Sequence, residues 1–187
     1  IVPELLRTLN GMKILFLARA LNFGGAERQL VVLACGLRQR GHEVSVAVFY
    51  PGGALEGELQ EAGVPILSLA KHGRWDVLGF FIRLIGLVRK QRPDLLHSYI
   101  SNLVTIGVQP FAPSVKIVWG VRSSYMDFSR YDWLFRVSYR LACWVSASAD
   151  LIIANSHAGR RGHVADGYPE KKMVVIPNGI DTDRFRP

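Results

Sequence analysis

Lys13-Ile14-Leu15-Phe16-Leu17-Ala18, then Arg19–Gly25 (RALNFGG), then the series Leu30, Leu33, Ala34 and Leu37 form the stretch that decides the fold. The first six residues are almost continuously apolar, as in a strand buried on both faces of a parallel sheet. The last four keep the i, i+3, i+4, i+7 spacing of a helix, and Arg38, Gln39 and Arg40 precede a terminating Gly41. A strand, a glycine-bearing loop and an amphipathic helix therefore follow one another directly.

Outward from this unit the theme repeats. Residues 43–49 (EVSVAVF), 65–69, 94–98 (DLLHS), 116–121 (KIVWGV), 150–154 (DLIIA) and 173–177 (MVVIP) read as further strands, about seven in all. Between them, Phe81, Leu84, Ile85 and Val88 mark a second helix with Asp76 as its expected N-cap. Tyr131, Leu134, Phe135, Leu141, Ala142 and Val145 mark a long third one, and shorter helices are expected over 55–62, 102–109 and 156–165. Strands alternating with helices imply a Rossmann-like, doubly wound parallel α/β sheet, because parallel neighbours need crossover connections. Such sheets take ligands at the carboxyl ends of their strands, so the residues after each strand carry the functional argument.

Composition limits what those ligands are. The chain has 187 residues, 49% hydrophobic and 20% charged, with a net charge of +8. That suffices for one domain with a sizeable core and excludes a disordered chain. Residues 71–140 hold 11 Lys/Arg and 4 Asp/Glu, which is +7 of the total and points to an anionic partner. The longest apolar run, residues 77–88, already contains Arg83 and two glycines, too short to span a membrane. Cys35 and Cys143 match no metal or redox spacing and read as small buried side chains in a reducing, cytoplasmic setting. No recognition motif for nucleic acid accompanies the charge, and no cluster of ligating residues marks a metal site.

The loop after the first strand presents Gly24 and Gly25 ahead of Ala26-Glu27 and the first helix. Paired glycines let a ligand approach the backbone, and the helix start offers free N–H groups to a phosphate or sugar hydroxyl. The alternative is a plain strand-to-helix turn in which Glu27 favours the helix start. Neither the dinucleotide fingerprint G-x-G-x-x-G nor the P-loop pattern is present, which disfavours an oxidoreductase or a P-loop enzyme. His97 leaves the fourth strand at its carboxyl end, where it is placed to meet a sugar hydroxyl or a proton, or else serves structure alone. Arg122 ends the fifth strand, suited to an anionic ligand or a surface ion pair, and Asn155-Ser156 reads as a helix N-cap. Two helices combine cations with aromatics, Arg74, Trp75, Phe80, Phe81, Arg83, Arg89 and Lys90 on one and Arg130, Trp133, Arg136, Tyr139, Arg140 and Trp144 on the other. Such faces fit an anionic membrane interface, although a sheet-covering helix also buries an apolar stripe.

Taken together, Gly24-Gly25-Ala26-Glu27, Pro93-Asp94-Leu95-Leu96-His97-Ser98, Asp150-Leu151-Ile152-Ile153-Ala154-Asn155-Ser156 and the closing 175–187 (VIPNGIDTDRFRP) resemble the family 4 glycosyltransferases of GT-B architecture. The resemblance implies the N-terminal, acceptor-side half of a two-domain enzyme of hexosyltransferase type. Such an enzyme transfers a sugar from a nucleotide-sugar donor to a glycan or lipid-linked acceptor, with retention and without a metal or other cofactor. By position it implies that Gly24 and Gly25 border the donor diphosphate and acceptor, that His97 meets the donor sugar as the catalytic candidate, and that Arg122 faces the cleft. It makes Asn178-Gly179 the hinge. Residues 1–11 are then an extension, 12–177 the domain and 178–187 the interdomain linker. Two departures stand out. Many relatives continue the fourth strand as His-x-His, where this chain has Tyr99, and the family's E-x7-E motif has no counterpart. The chain alone is therefore expected to be catalytically incomplete, lacking its C-terminal domain. Its expected setting is the cytoplasm, peripheral on the inner face of the cytoplasmic membrane, in polysaccharide or glycolipid biosynthesis. The alternatives are a stand-alone ligand-binding or assembly subunit and a fragment of a GT-B-type nucleotide-sugar epimerase.

Overall fold

The computed structural model describes residues 11–73, 75–99, 102–122 and 133–179. Expectations that fall on residues 1–10, Arg74, Ser123, Arg130, Tyr131 and residues 180–187 lie outside the described residues. Among the described residues seven strands form one sheet: β1 (Lys13–Ala18), β2 (Glu43–Val48), β3 (Ile66–Ser68), β4 (Leu95–Ser98), β5 (Lys116–Val121), β6 (Leu151–Ala154) and β7 (Met173–Val175). Their spatial order is β3-β2-β1-β4-β5-β6-β7 and every pairing is parallel. The order reverses between β1 and β4, so the crevice above that pair is the position where such sheets bind ligands.

Among the described residues six α-helices join the strands: α1 (Gly25–Gln39), α2 (Glu56–Glu61), α3 (Val77–Gln91), α4 (Leu103–Ile106), α5 (Trp133–Val145) and α6 (His157–Ala165). Gly41 ends α1 at φ +87, a left-handed conformation that glycine adopts without cost, as the sequence anticipates. Ser156 caps α6 through its side chain, accepting from the Gly159 N–H at 2.9 Å. Asp76 is the N-cap residue of α3, as expected, but its side chain makes no capping hydrogen bond. Its carboxylate accepts instead from the His72 N–H at 2.8 Å and pairs directly with Arg83, two helical turns further along the chain. These contacts hold its carboxyl below the usual range, the His72 bond first among them.

The faces of the sheet are covered unequally. Ile14, Phe16, Ala18, Val44, Val46 and Val48 point to the side where α1 and α2 pack with Leu30, Val31, Ala34, Leu55 and Leu59. Leu15, Leu17 and Ala47 face Phe80, Leu84 and Val88 of α3 on the other side. On that same side Ile117, Trp119, Val121, Ile152 and Ala154 meet α4, α5 and α6. Fully burying side chains of this size contributes roughly 1.5–3 kcal/mol each. By register, Leu95, His97, Val118, Leu151 and Ile153 point to the α1 side. There no helix among the described residues lies over β4 to β7. Leu33, expected in the core, instead lines the resulting groove, where Ile153 and Ile176 also lie.

Two further expectations change. Of the apolar series on α5, only Ala142 is buried, and the outward face carries Trp133, Val137, Leu141 and Trp144. Cys35 and Cys143 are free and half-buried, with burial pushing both thiols up. The motif aspartates have structural duties at the strand beginnings. Asp94 accepts from the Lys13 N–H and Asp150 from the Ile117 N–H, each at 2.9 Å, and so ties each strand start to its neighbour.

Candidate functional site

The loop after β1 is anchored before it reaches the glycines. Leu21 is fully buried, and its carbonyl accepts from the Leu55 N–H at 2.8 Å. Gly53 lies against the same segment so closely that a Cβ there would fall on the Leu21 backbone. The loops after β1 and β2 are thus fastened together. Gly24 then takes an extended conformation as N-cap of α1, and its carbonyl accepts the first helical bond, from the Arg28 N–H at 2.9 Å. No side chain caps this helix start. The Glu27 carboxylate folds back beside Gly24, where a Cβ would meet it, whereas a Cβ on Gly25 meets nothing within 4 Å. A carboxylate drawn to a helix start shows which charge that end favours, and Gly25 is its open side.

The tips of β4, β5 and β6 hold the second part. His97 is 4% exposed, with Phe16 and Tyr99 rings at 5.3 and 5.1 Å. Burial first, and the nearby Arg122 charge second, pull its pKa down to about 3, so the imidazole is neutral at physiological pH. Arg122 lays its guanidinium over the Tyr99 ring, 4.0 Å from the centroid, and burial lowers its pKa from the ordinary value. Tyr99, which replaces the second histidine of the expected pattern, thereby acts as a platform for a cation.

Among the described residues, the buried side-chain polar atoms without a hydrogen-bond partner are His97 Nε2, Ser98 Oγ, Asn102 Oδ1, Arg122 Nε and Asn155 Oδ1. All five sit at or just beyond the carboxyl ends of β4, β5 and β6. Asn102 and Asn155 spend their Nδ2 groups on the backbone, donating to the Gly120 and Arg122 carbonyls at 3.2 and 3.5 Å, which leaves both amide oxygens unmatched. Trp119 supports this arrangement from below. Its indole N–H donates to Thr105 Oγ1 at 2.8 Å, and that hydroxyl donates to the Asn102 carbonyl at 2.7 Å. Each unmatched buried group costs roughly 1–3 kcal/mol, so their gathering in one place is unlike a core that only stabilises.

A groove of about 550 Å³ on the uncovered face takes in His97 and Arg122 of this set. Gln29, Leu33, His97, Tyr99, Arg122 and Asn178 are among its walls. A hollow of similar volume, about 550 Å³, lies on the other side, with Ala26, Asn102, Phe135 and Tyr139 in its lining. Tyr99 and Arg122 line both, so the stacked pair stands between the two. Of the residues singled out from sequence, His97, Arg122 and Asn178 therefore share one groove, and Arg122 Nη1 donates to Asn178 Oδ1 at 2.9 Å. Gly24 and Gly25 stand outside it, at the start of the helix that forms its wall. Sequence reading missed Gln29, Asn102 and Asn155 as site residues. Asn155 looks like part of an N-cap, and nothing in the helical pattern distinguishes Gln29 from other polar positions.

The family model of Glycosyltransferase Family 4 matches residues 23–184. The chain belongs to that family. Among solved structures, the family 4 chain resembles the Anabaena protein HepE in complex with UDP and glucose, at 25% identity and a TM-score of 0.74, over 92% of this chain and 46% of that one. A glycosyltransferase from Rickettsia africae shares the fold at 20% identity and a TM-score of 0.72, over 95% and 45%. So does a UDP-GlcNAc 2-epimerase from Methanocaldococcus jannaschii, at 13% identity and 0.61, over 88% and 45%. The chain spans about half the length of these solved relatives. A comparison with curated protein sequences finds no match. The expected Rossmann-like half of a GT-B fold is thus the observed one, and the family match favours the transferase over the epimerase.

Proposed function

We propose that this chain is the acceptor-side half of a retaining, metal-independent glycosyltransferase, and that a C-terminal domain supplies most of the donor site. The carrying observation is the group of unmatched polar atoms at the strand tips. Two amide oxygens accept, the Ser98 hydroxyl and the neutral His97 ring each donate or accept, and one arginine nitrogen donates. A partner for this mixed set must both donate and accept, as sugar hydroxyls do, whereas a phosphate only accepts and leaves the amide oxygens unmatched. The anionic part of a nucleotide-sugar then belongs at the start of α1, on the open side of Gly25. The HepE complexes hold UDP and UDP-glucose, which supports this ligand class.

In glycosyl transfer, positive charge builds on the sugar and negative charge on the departing diphosphate. The α1 start and Arg122 are placed to stabilise the diphosphate. His97, being neutral, holds a hydroxyl rather than acting as an imidazolium acid. One wall alone neither excludes water nor aligns donor with acceptor, so the isolated chain should not turn over. We expect UDP-glucose added to the purified chain to shift amide resonances at Gly24–Glu27, His97–Tyr99 and Arg122, without product above background. Shifts confined to other surfaces would overturn the reading, and robust turnover would overturn the incompleteness.

The outer face of α5 supports a setting for the acceptor. Trp133 and Trp144 are 74% and 80% exposed, on one stripe with Val137 and Leu141 and flanked by exposed Arg136 and Arg140. On α3, Leu78 and Ile82 point outward near exposed Arg89 and Lys90. No helix among the described residues is long and apolar enough to cross a membrane. An aromatic stripe edged by cations fits the surface of an anionic bilayer, from which a lipid-linked or cell-surface acceptor is reached. Co-sedimentation should therefore rise with the fraction of anionic lipid and fall with salt, and Trp133→Ser with Trp144→Ser should weaken it at least fivefold. Binding indifferent to lipid charge would refute the membrane setting.

A further inference from the structure

The segment leaving β7 is held at three consecutive points, and the three partners come from different elements. The Ile176 N–H donates to the Ala154 carbonyl of β6 at 2.9 Å, which extends the ladder one residue beyond β7. Pro177 follows and has no N–H, so backbone pairing cannot continue. Side chains take over. Asn178 Oδ1 accepts from Arg122 at the tip of β5. The Gly179 carbonyl accepts from Gln29 Nε2 at 2.8 Å, and the Gly179 N–H donates to Gln29 Oε1 at 3.1 Å. The primary amide of Gln29 thus meets one residue's donor and acceptor together, as a neighbouring strand would.

The order of these partners gives a direction. From the edge strand β7 the chain is handed to β6, then β5, then α1, back across the strand tips toward the point where the strand order reverses. Gln29 lies one helical turn beyond Gly25, on the helix whose start faces the proposed diphosphate. We propose that Gln29 is a positioning residue. With Arg122 it clasps the departing segment so that whatever follows emerges beside the α1 start and above the His97 groove, not from the sheet edge. The functional meaning rests on the reading that a second domain follows, but the clasp itself does not.

The clasp is measurable in the 187-residue chain alone, so its failure and the failure of the two-domain reading are separable. Two amides of one segment serve as probe and control, Gly179 held by Gln29 and Ile176 held by Ala154. Gln29→Met keeps the length and loses both hydrogen bonds, and should speed Gly179 exchange about fivefold to tenfold with Ile176 unchanged. Gln29→Glu keeps the acceptor and loses the donor at neutral pH, and should fall between the two. In the unsubstituted chain the Gln29 side-chain amide protons should show nuclear Overhauser contacts to the Gly179 α-protons. Unchanged Gly179 exchange in Gln29→Met overturns the proposal. So does equal acceleration of Gly179 and Ile176, which would mean fraying of the strand end.

Discussion

Lowering the pH from neutral to about 5 is expected to remove about 2 kcal/mol of stability from this chain through one residue, His97. An unfolded histidine titrates near 6.5, whereas His97 in the fold is pulled to about 3. Above 6.5 neither state is protonated and the fold keeps its full stability. Below 6.5 the unfolded chain gains a proton that the folded site refuses, so stability falls steadily until the pH nears 3. The chosen interval lies above the range in which most carboxylates titrate, and a His97 variant assigns the loss to this one residue. Urea midpoints at both pH values measure the loss. His97→Gln, of similar bulk and without a titrating ring, should abolish most of it. If the variant stays as acid-sensitive as the parent chain, the buried neutral imidazole is not the cause.

Gly25→Val is expected to weaken nucleoside diphosphate binding at least tenfold without loss of thermal stability, since each tenfold corresponds to about 1.4 kcal/mol. The two halves of this expectation have different origins. A Cβ at Gly25 meets no atom within 4 Å, so a side chain has room to start there. Replacing glycine at a helix start also limits the unfolded chain, which adds a few tenths of a kcal/mol or more to stability. That same open space is where a diphosphate must approach the helix N–H groups. UDP titrated to millimolar levels should shift Gly24–Glu27 in the parent chain and leave them still in the variant. Equal shifts in both would show that the open side of Gly25 is not where the anion sits. A fall in melting temperature would show that the glycine serves the fold.

The sheet was legible because its longer strands are almost continuously apolar and punctuated by polar turns, so runs such as Lys13–Ala18 stand out without a periodicity argument. The helices were half legible. The spacing of Leu30, Leu33, Ala34 and Leu37 identifies α1, yet it cannot say that Leu33 faces a groove, because coverage of a sheet face is a property of topology. The α5 series shows the same limit, since helical spacing marks a stripe without saying whether it points in or out. The motifs mixed two duties. Asp94 and His97 stand in one short string, but the aspartate fastens the beginning of a neighbouring strand while the histidine sits at the far end. Gln29 was illegible because its partner is 150 residues away.

The fastening of the loop after β1 to the loop after β2, through Leu21, Gly53 and Leu55, has a thermodynamic consequence for recognition. A mobile loop must surrender its freedom when a ligand arrives, and affinity falls by that amount. Here the backbone leading to Gly24 was immobilised when the core formed, so little entropy is left to lose on association. Tight recognition at this end of α1 then depends on what the ligand and the opposing wall bring to it, rather than on rearrangement of the loop itself.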